Sequence, residues 1–326
     1  MRRAKFIVAA VIALIAGAAV YFVYKGRGDG PKPQPYHQPA VVDKYRPVAI
    51  LGNARRTSVT ERWLRFKEDN LKPQLQLFDF LKKEGPGLLI FLGDQVNRGS
   101  SRGEWKHFDQ NLQYFFNNKV PVLSILGERE YGGLNNEALG QLHARFPALK
   151  DKTWSSLIYL NLGLIFLNTN FGELGEAADQ QRDWFTQTLK QFDGHKAVDG
   201  VVVFSHHPPL TNGPAERDPR LTKDLLEPFF EARKTLLFVS GHVGAYEKFH
   251  EREKYLVVSG GAGAPRDSLA EGEDRPAEDL FKGAVPRPFH YLLLLSVQGG
   301  VTLEVKGFDK GEAQIRQIDK YYIPFR

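Results

Sequence analysis

GLLIFLGDQVNRG, residues 87–99, decides the architecture. An unbroken apolar run ends at Gly93, and Asp94, Asn97 and Arg98 follow at once. Strands that are apolar throughout are buried on both faces, as in a sheet covered on each side. In open α/β sheets the ligand crevice lies beyond the carboxyl ends of the strands, which is where these polar residues fall.

On either side the pattern repeats. VAIL at 48–51 reads as a buried strand, and Leu71, Leu75, Phe78 and Leu81 predict the apolar face of a helix between it and 87–93. Trp105, Phe108, Leu112 and Phe116 predict a helix over 104–117, and PVLSILG at 121–127 predicts the next strand. Strands near 156–160 and 164–168, a helix over 177–191, VVVFS at 201–205, a helix near 220–232 and TLLFVSG at 235–241 continue the alternation. YLVVSG, HYLLLLSV and VTLEVKGF have shorter connections and predict a second, largely antiparallel region. Residues 264–288 read as a long charged surface loop. The fold class expected over 44–326 is α/β, layered, with helices covering the sheets.

The net charge of +6 is concentrated at one end: residues 1–32 hold +5 of it, leaving +1 for the rest. No basic stripe remains there to follow a phosphate backbone, so no nucleic acid is predicted as a partner. Cysteine is absent, which excludes disulfides and thiolate chemistry. From Phe6 to Tyr24 no residue is charged, a length that predicts a membrane-spanning signal-anchor helix after a short flank at 1–5. Tyr21, Phe22 and Tyr24 sit at its far boundary, and the Gly/Pro-rich residues 25–43 read as a linker. The basic flank predicts an exported main domain held to the membrane through this helix; the small residues 16–19 leave a cleaved signal sequence as the alternative.

Five strand ends carry polar groups: LGNAR at 51–55, GDQVNRG at 93–99, GERE at 127–130, SHHPP at 205–209 and GHVGAYEKF at 241–249. Asp94, Glu128, His206 and His242 make an oxygen and nitrogen donor set suited to manganese, iron or zinc. Gly93, Gly127 and Gly241 are placed to allow tight turns beside them. Each donor alone has an ordinary reading: a turn or cap for Asp94, a solvated pair with Arg129 for Glu128, core and surface histidines for His206 and His207. Their order after successive strands favours one shared site.

In these segments the chain resembles the calcineurin-like metallophosphoesterase family, most closely in GDQVNRG, SHHPP and GHVGAYEKF, over roughly 47–250. The resemblance implies a layered α/β/β/α sandwich and a two-metal site built from five blocks. Set against it, the first block is degenerate at Asn53 and Arg55, Asn97 is a mild variation beside Arg98, and Gly244 stands where the last block has histidine. Arg129 replaces the histidine implied as acid. An arginine does not yield its proton near neutral pH, but it can clamp a phosphate, as can Arg98. His207 remains as a weak candidate donor.

The expected metal site is therefore one divalent ion on Asp94, Glu128, His206 and His242, and a two-metal site is not expected. The resemblance implies a metal-dependent phosphoester hydrolase, mononuclear or impaired, which the apolar span would anchor to the membrane, with a phosphorylated small molecule or a protein as partner. The alternative is a catalytically inactive binding or scaffold protein at the membrane surface, with a protein partner.

Overall fold

Every residue of strand Val48–Leu51 (β1) is buried, and the side chains divide by parity. In the computed structural model, which describes residues 33–39, 46–215 and 218–326, Val48 and Ile50 face one apolar layer and Ala49 and Leu51 another. Leu88–Phe91 (β2) does the same, with Leu88 and Ile90 on the first layer and Leu89 and Phe91 on the second. Successive side chains of a strand point to opposite faces, so a continuous apolar strand needs a cover on each.

The remaining strands, among the described residues, are Val122–Ser124 (β3), Ser155–Tyr159 (β4), Leu162–Phe166 (β5), Gly200–Ser205 (β6), Thr235–Ser240 (β7), Tyr246–Glu251 (β8), Lys254–Ser259 (β9), Phe289–Val297 (β10), Gly300–Phe308 (β11) and Arg316–Pro324 (β12). They form two mixed six-stranded sheets, ordered β12-β11-β10-β1-β2-β3 and β4-β5-β6-β7-β9-β8. In the first, β1 pairs parallel with β2 and antiparallel with β10, so that Ile50 lies opposite Ile90 on one side and Leu292 on the other. In the second, β5, β6, β7 and β9 run parallel.

The described helices are Val59–Leu64 (α1), Leu71–Glu84 (α2), Arg102–Asn117 (α3), Asn135–Arg145 (α4), Phe171–Leu174 (α5), Ala177–Gly194 (α6) and Glu227–Glu231 (α7), the last preceded by a π-helical turn over Leu221–Leu226. The sheets meet through Val48, Ile50, Leu88 and Ile90 on one side and Leu164, Val202, Phe204 and Val239 on the other. Phe78, Leu81, Trp105 and Phe108 of α2 and α3 cover the outer face of the first sheet. Phe185 and Leu189 of α6 and Phe229 of α7 cover that of the second. The fold is the expected layered α/β/β/α sandwich.

Several sequence expectations are corrected. Residues 6–24 lie outside the described residues, and among the described residues no helix is long and apolar enough to cross a membrane. The single-pass anchor, the membrane as a partner and the exported location drawn from it therefore have no supporting element. Tyr36, expected in a linker, is buried: its hydroxyl donates to Asp109 at 2.8 Å and its ring meets Phe108 edge-on. Helix α2 buries Phe78 and Leu81 of its predicted face, but Leu71 and Leu75 are exposed and Leu77 and Phe80 are buried in their place. No separate antiparallel region exists among the described residues, because β10–β12 extend the first sheet and β8 and β9 complete the second. Residues 264–288 are tied down rather than loose, since Asp279 and Arg287 form a buried ion pair at 2.6 Å and Asn70 donates to the Ala264 carbonyl at 3.0 Å.

The exposure of Leu75 sets a direct test. Ile90→Ala, between the sheets, should lower unfolding stability by about 2–5 kcal/mol in urea titration, whereas Leu75→Ala should change it by no more than about 0.5 kcal/mol. Comparable losses at the two sites would contradict the packing described.

Candidate metal and anion site

The ends of β1, β2, β3, β6 and β7 carry Asn53, Asp94, Glu128, His206 and His242 toward one crevice. Three of these residues leave their strands through left-handed backbone, with φ of 55° at Asn53, 55° at Asp94 and 64° at His242. That conformation is costly for side chains other than glycine, and asparagine and aspartate bear it best. His242 is held there by Asn53: the Asn53 amide donates to the His242 carbonyl at 2.7 Å, and the His242 N–H donates to Asn53 Oδ1 at 3.0 Å. Of the three glycines expected to turn the chain, only Gly93 has positive φ. Gly127 serves close approach, because a Cβ there would lie 2.4 Å from Asp94 Oδ1.

Glu128, His206, His207 and His242 each offer one donor atom, and the four atoms lie within 4.8 Å of one another. His206 is fully buried, its Nδ1 2.6 Å from the Leu92 carbonyl and its Nε2 2.7 Å from Glu128 Oε2. The Leu92 carbonyl can only accept, so Nδ1 carries a proton and Nε2 is the atom aimed at the cluster. Burial alone would lower the His206 pKa, but the charges of Asp94 and Glu128 outweigh it and push it up to about 9. Burial opposes ionisation of Glu128 as well, and the His206 and His242 rings overcome that and hold it well below the carboxylate range. His242 Nδ1 lies 3.3 Å from the same Glu128 oxygen. His207 is pushed down to about 3 by burial and by the two neighbouring rings. A ring that resists protonation beside a carboxylate and two further imidazoles suits one divalent ion, and these four residues would hold it.

His207 thus enters the set that the sequence placed beside it, and Asp94 stands at its edge, with Oδ1 3.7 Å from His206 Nε2. Burial raises the Asp94 carboxyl, and His206, Arg55 and Arg129 pull against it. Its oxygens face different surroundings. Oδ1 accepts from the Arg129 N–H at 3.2 Å, while Oδ2 lies 3.1 Å from Arg129 Nε and 3.7 Å from Arg55 Nε. Both Nε atoms are buried without a hydrogen-bond partner.

Glu61 of α1 closes the group, 2.8 Å from Arg55 and 3.3 Å from Arg129. Asn97 accepts from Arg55 at 2.9 Å and so acts on a guanidinium rather than on the cluster. Two guanidiniums balanced by two carboxylates leave no excess negative charge for a second cation, and either arginine would repel one. Gly244 is closed as well: a Cβ there would meet the Pro265 carbonyl at 2.4 Å, and Asp267 accepts from the Gly244 N–H at 2.9 Å. The residues present fit one metal ion and do not fit two. Arg98 is exposed, and its side chain has no ion-pair partner among the described residues.

Sequence reading passed over three supports. Thr169, beyond β5, accepts from the His207 N–H at 2.9 Å and lies 2.9 Å from its Nδ1. Glu130 is fully buried and accepts from the N–H groups of Asp94, Gln95 and Gly127 at 2.8–2.9 Å. Burial, then the Asp94 charge, pushes Glu130 up to about 8. Glu61 had a legible signal in Ser58-x-x-Glu61, a capping box that forms here, with the Glu61 N–H on Ser58 Oγ and the Ser58 N–H on Glu61. That motif announces a helix start and says nothing of the arginines.

Burial opposes ionisation of Glu61, but the Arg55 charge and hydrogen bonds bring its pKa from 4.5 down to about 2. A depressed carboxylate stabilises the fold above its usual pKa and loses that contribution as pH falls through the folded one. Glu61→Gln should cost about 3 kcal/mol at neutral pH in urea unfolding, as when one member of a buried ion pair is removed. The gap to wild type should narrow as the pH falls from 4.5 toward about 2. A gap independent of pH would remove the ionic role.

A family model described as calcineurin-like phosphoesterase matches residues 37–246. No curated protein sequence matches the chain. GAP50 of Plasmodium, described as the anchor in the inner membrane complex, superposes with TM-score 0.61 at 17% identity, over 86% of this chain and 89% of that one. Purple acid phosphatase PPD1 from yellow lupin (Lupinus luteus) gives 0.62 at 17% identity, over 90% of this chain and 55% of that one. A dimetal phosphatase from Danio rerio gives 0.57 at 13% identity, over 87% and 100%. At such identities these structures share the fold alone. With the sandwich, the ordered strand-end blocks and a family match over well more than half its length, the chain belongs to the calcineurin-like phosphoesterase family, as a divergent member with degenerate metal-binding residues.

Proposed function

We propose that the chain is a catalytically inactive binding protein on a phosphoesterase fold, which holds one divalent ion and has two arginines where a second would lie. This replaces the membrane-anchored hydrolase expected from the sequence, since its anchor has no support among the described residues and the Arg55 and Arg129 pair on Asp94 counts against turnover. The observation that carries the reading is the placement of Arg55 and Arg129 on Asp94 Oδ2.

A carboxylate that bridges two ions, through one oxygen or both, must be open to the second cation. Here the Oδ2 side of Asp94 faces two guanidiniums instead. Bound metal would supply Lewis acidity on one side only; Glu128, His206, His207 and His242 would hold it, with Leu92 and Thr169 orienting the histidines. Arg129 is partly exposed, but as a fixed positive charge it cannot protonate a leaving group. The Plasmodium fold neighbour, described as an anchor, is a case of this fold named for a non-hydrolytic role.

The test is elemental analysis after separate titration with manganese, iron and zinc, paired with assays on p-nitrophenyl phosphate and its diester. About one ion per chain is expected, lost in His206→Ala, with hydrolysis no faster than in that variant. Two ions per chain, or metal-dependent turnover abolished by His206→Ala, would overturn the reading.

A further inference from the structure

Helix α1 is built inside out. Its one buried residue is Glu61, which reaches Arg55 and Arg129, while Val59, Trp63 and Leu64 are 57%, 68% and 76% exposed. Phe66 follows, 89% exposed and with φ of 51°, left-handed backbone that a bulky aromatic residue seldom adopts. The chain turn after the helix thus holds a phenyl ring in water at a conformational cost, two positions from an exposed leucine and three from an exposed indole. Scattered exposed apolar residues need no explanation, but a contiguous group within eight positions does.

We propose that residues 59–67 form a docking surface for a short segment of a partner protein that carries apolar side chains and carboxylates. Size argues for one segment rather than a second copy of the chain. Trp63, Leu64, Phe66 and Val59 expose on the order of 550–600 Å², short of the ~800 Å² each side contributes to a standard stable interface. Charge argues for acidic residues in the segment. Arg62, Arg65 and Lys67 rim the patch; Arg62 meets Asp69 and Lys67 meets Asp267, while Arg65 has no ion-pair partner among the described residues. Glu68 and Asp69 follow directly and are paired with Arg266 and Arg62, which leaves Arg65 as the rim cation open to a carboxylate of the segment. The surface goes beyond the metal-binding reading and does not depend on it.

Selection of a random-peptide display library on the intact chain tests this. Expected is enrichment of sequences joining Trp, Phe or Leu with Asp or Glu, whose binding falls about tenfold or more in Trp63→Ser/Phe66→Ser and in Arg65→Glu. These side chains are exposed, and an unchanged metal content in the variants would show that fold and cluster are intact, separating this test from that of the metal site. No such enrichment, or peptides that bind the variants equally, would overturn the proposal. So would sedimentation with phosphatidylserine–phosphatidylcholine vesicles that the double variant loses, which assigns the patch to lipid. A dimer in light scattering that the double variant abolishes would assign it to a second copy.

Discussion

The Asp94 carboxylate divides the site in two. Its backbone is fixed by the buried Glu130 hub and its Oδ1 by the Arg129 N–H, so it cannot turn toward one side without abandoning the other. On one side lie Glu128 and three imidazoles with a metal-ready arrangement; on the other, Oδ2 is surrounded by Arg55 and Arg129. A guanidinium is a permanent cation with fixed geometry. Where a second metal would require negative charge, two such groups supply positive charge instead, and Glu61 holds them there.

The departures from the family pattern support one another. Without Glu61, Arg55 and Arg129 would share the single carboxylate of Asp94, and Glu61 is positioned by its own helix cap. Asn53, which stands where a ligand is implied by the resemblance, has become a clasp on the His242 backbone. Gly244 has let residues 265–267 close over the place of the missing histidine. Reversing one substitution would therefore not rebuild a two-metal site, because each lost ligand has been replaced by a contact that serves the remaining half.

Much of this was legible in the sequence because the strands are apolar on both faces and end in polar residues. β1, β2, β3, β6 and β7 need no partner to be recognised, and the ends after the last four name Asp94, Glu128, His206 and His242. What remained hidden depends on through-space contact. Leu71 and Leu75 fit a helical spacing as well as Leu77 and Phe80 do, and only docking on the sheet chooses between the two faces of α2. His207 and Asp94 exchanged places relative to the cluster because backbone turns, including left-handed φ at Asp94, aim the side chains. β12 alternates charged and aromatic residues weakly and becomes a strand through its pairing with β11.

The central claim is that this fold keeps one half of a metal site and has filled the other with arginine. Anomalous diffraction from crystals soaked in manganese reads both halves at once. The account predicts a peak among Glu128, His206, His207 and His242, with Arg55 and Arg129 still on Asp94 Oδ2. A second peak against Asp94 Oδ2, with either guanidinium displaced, would contradict it.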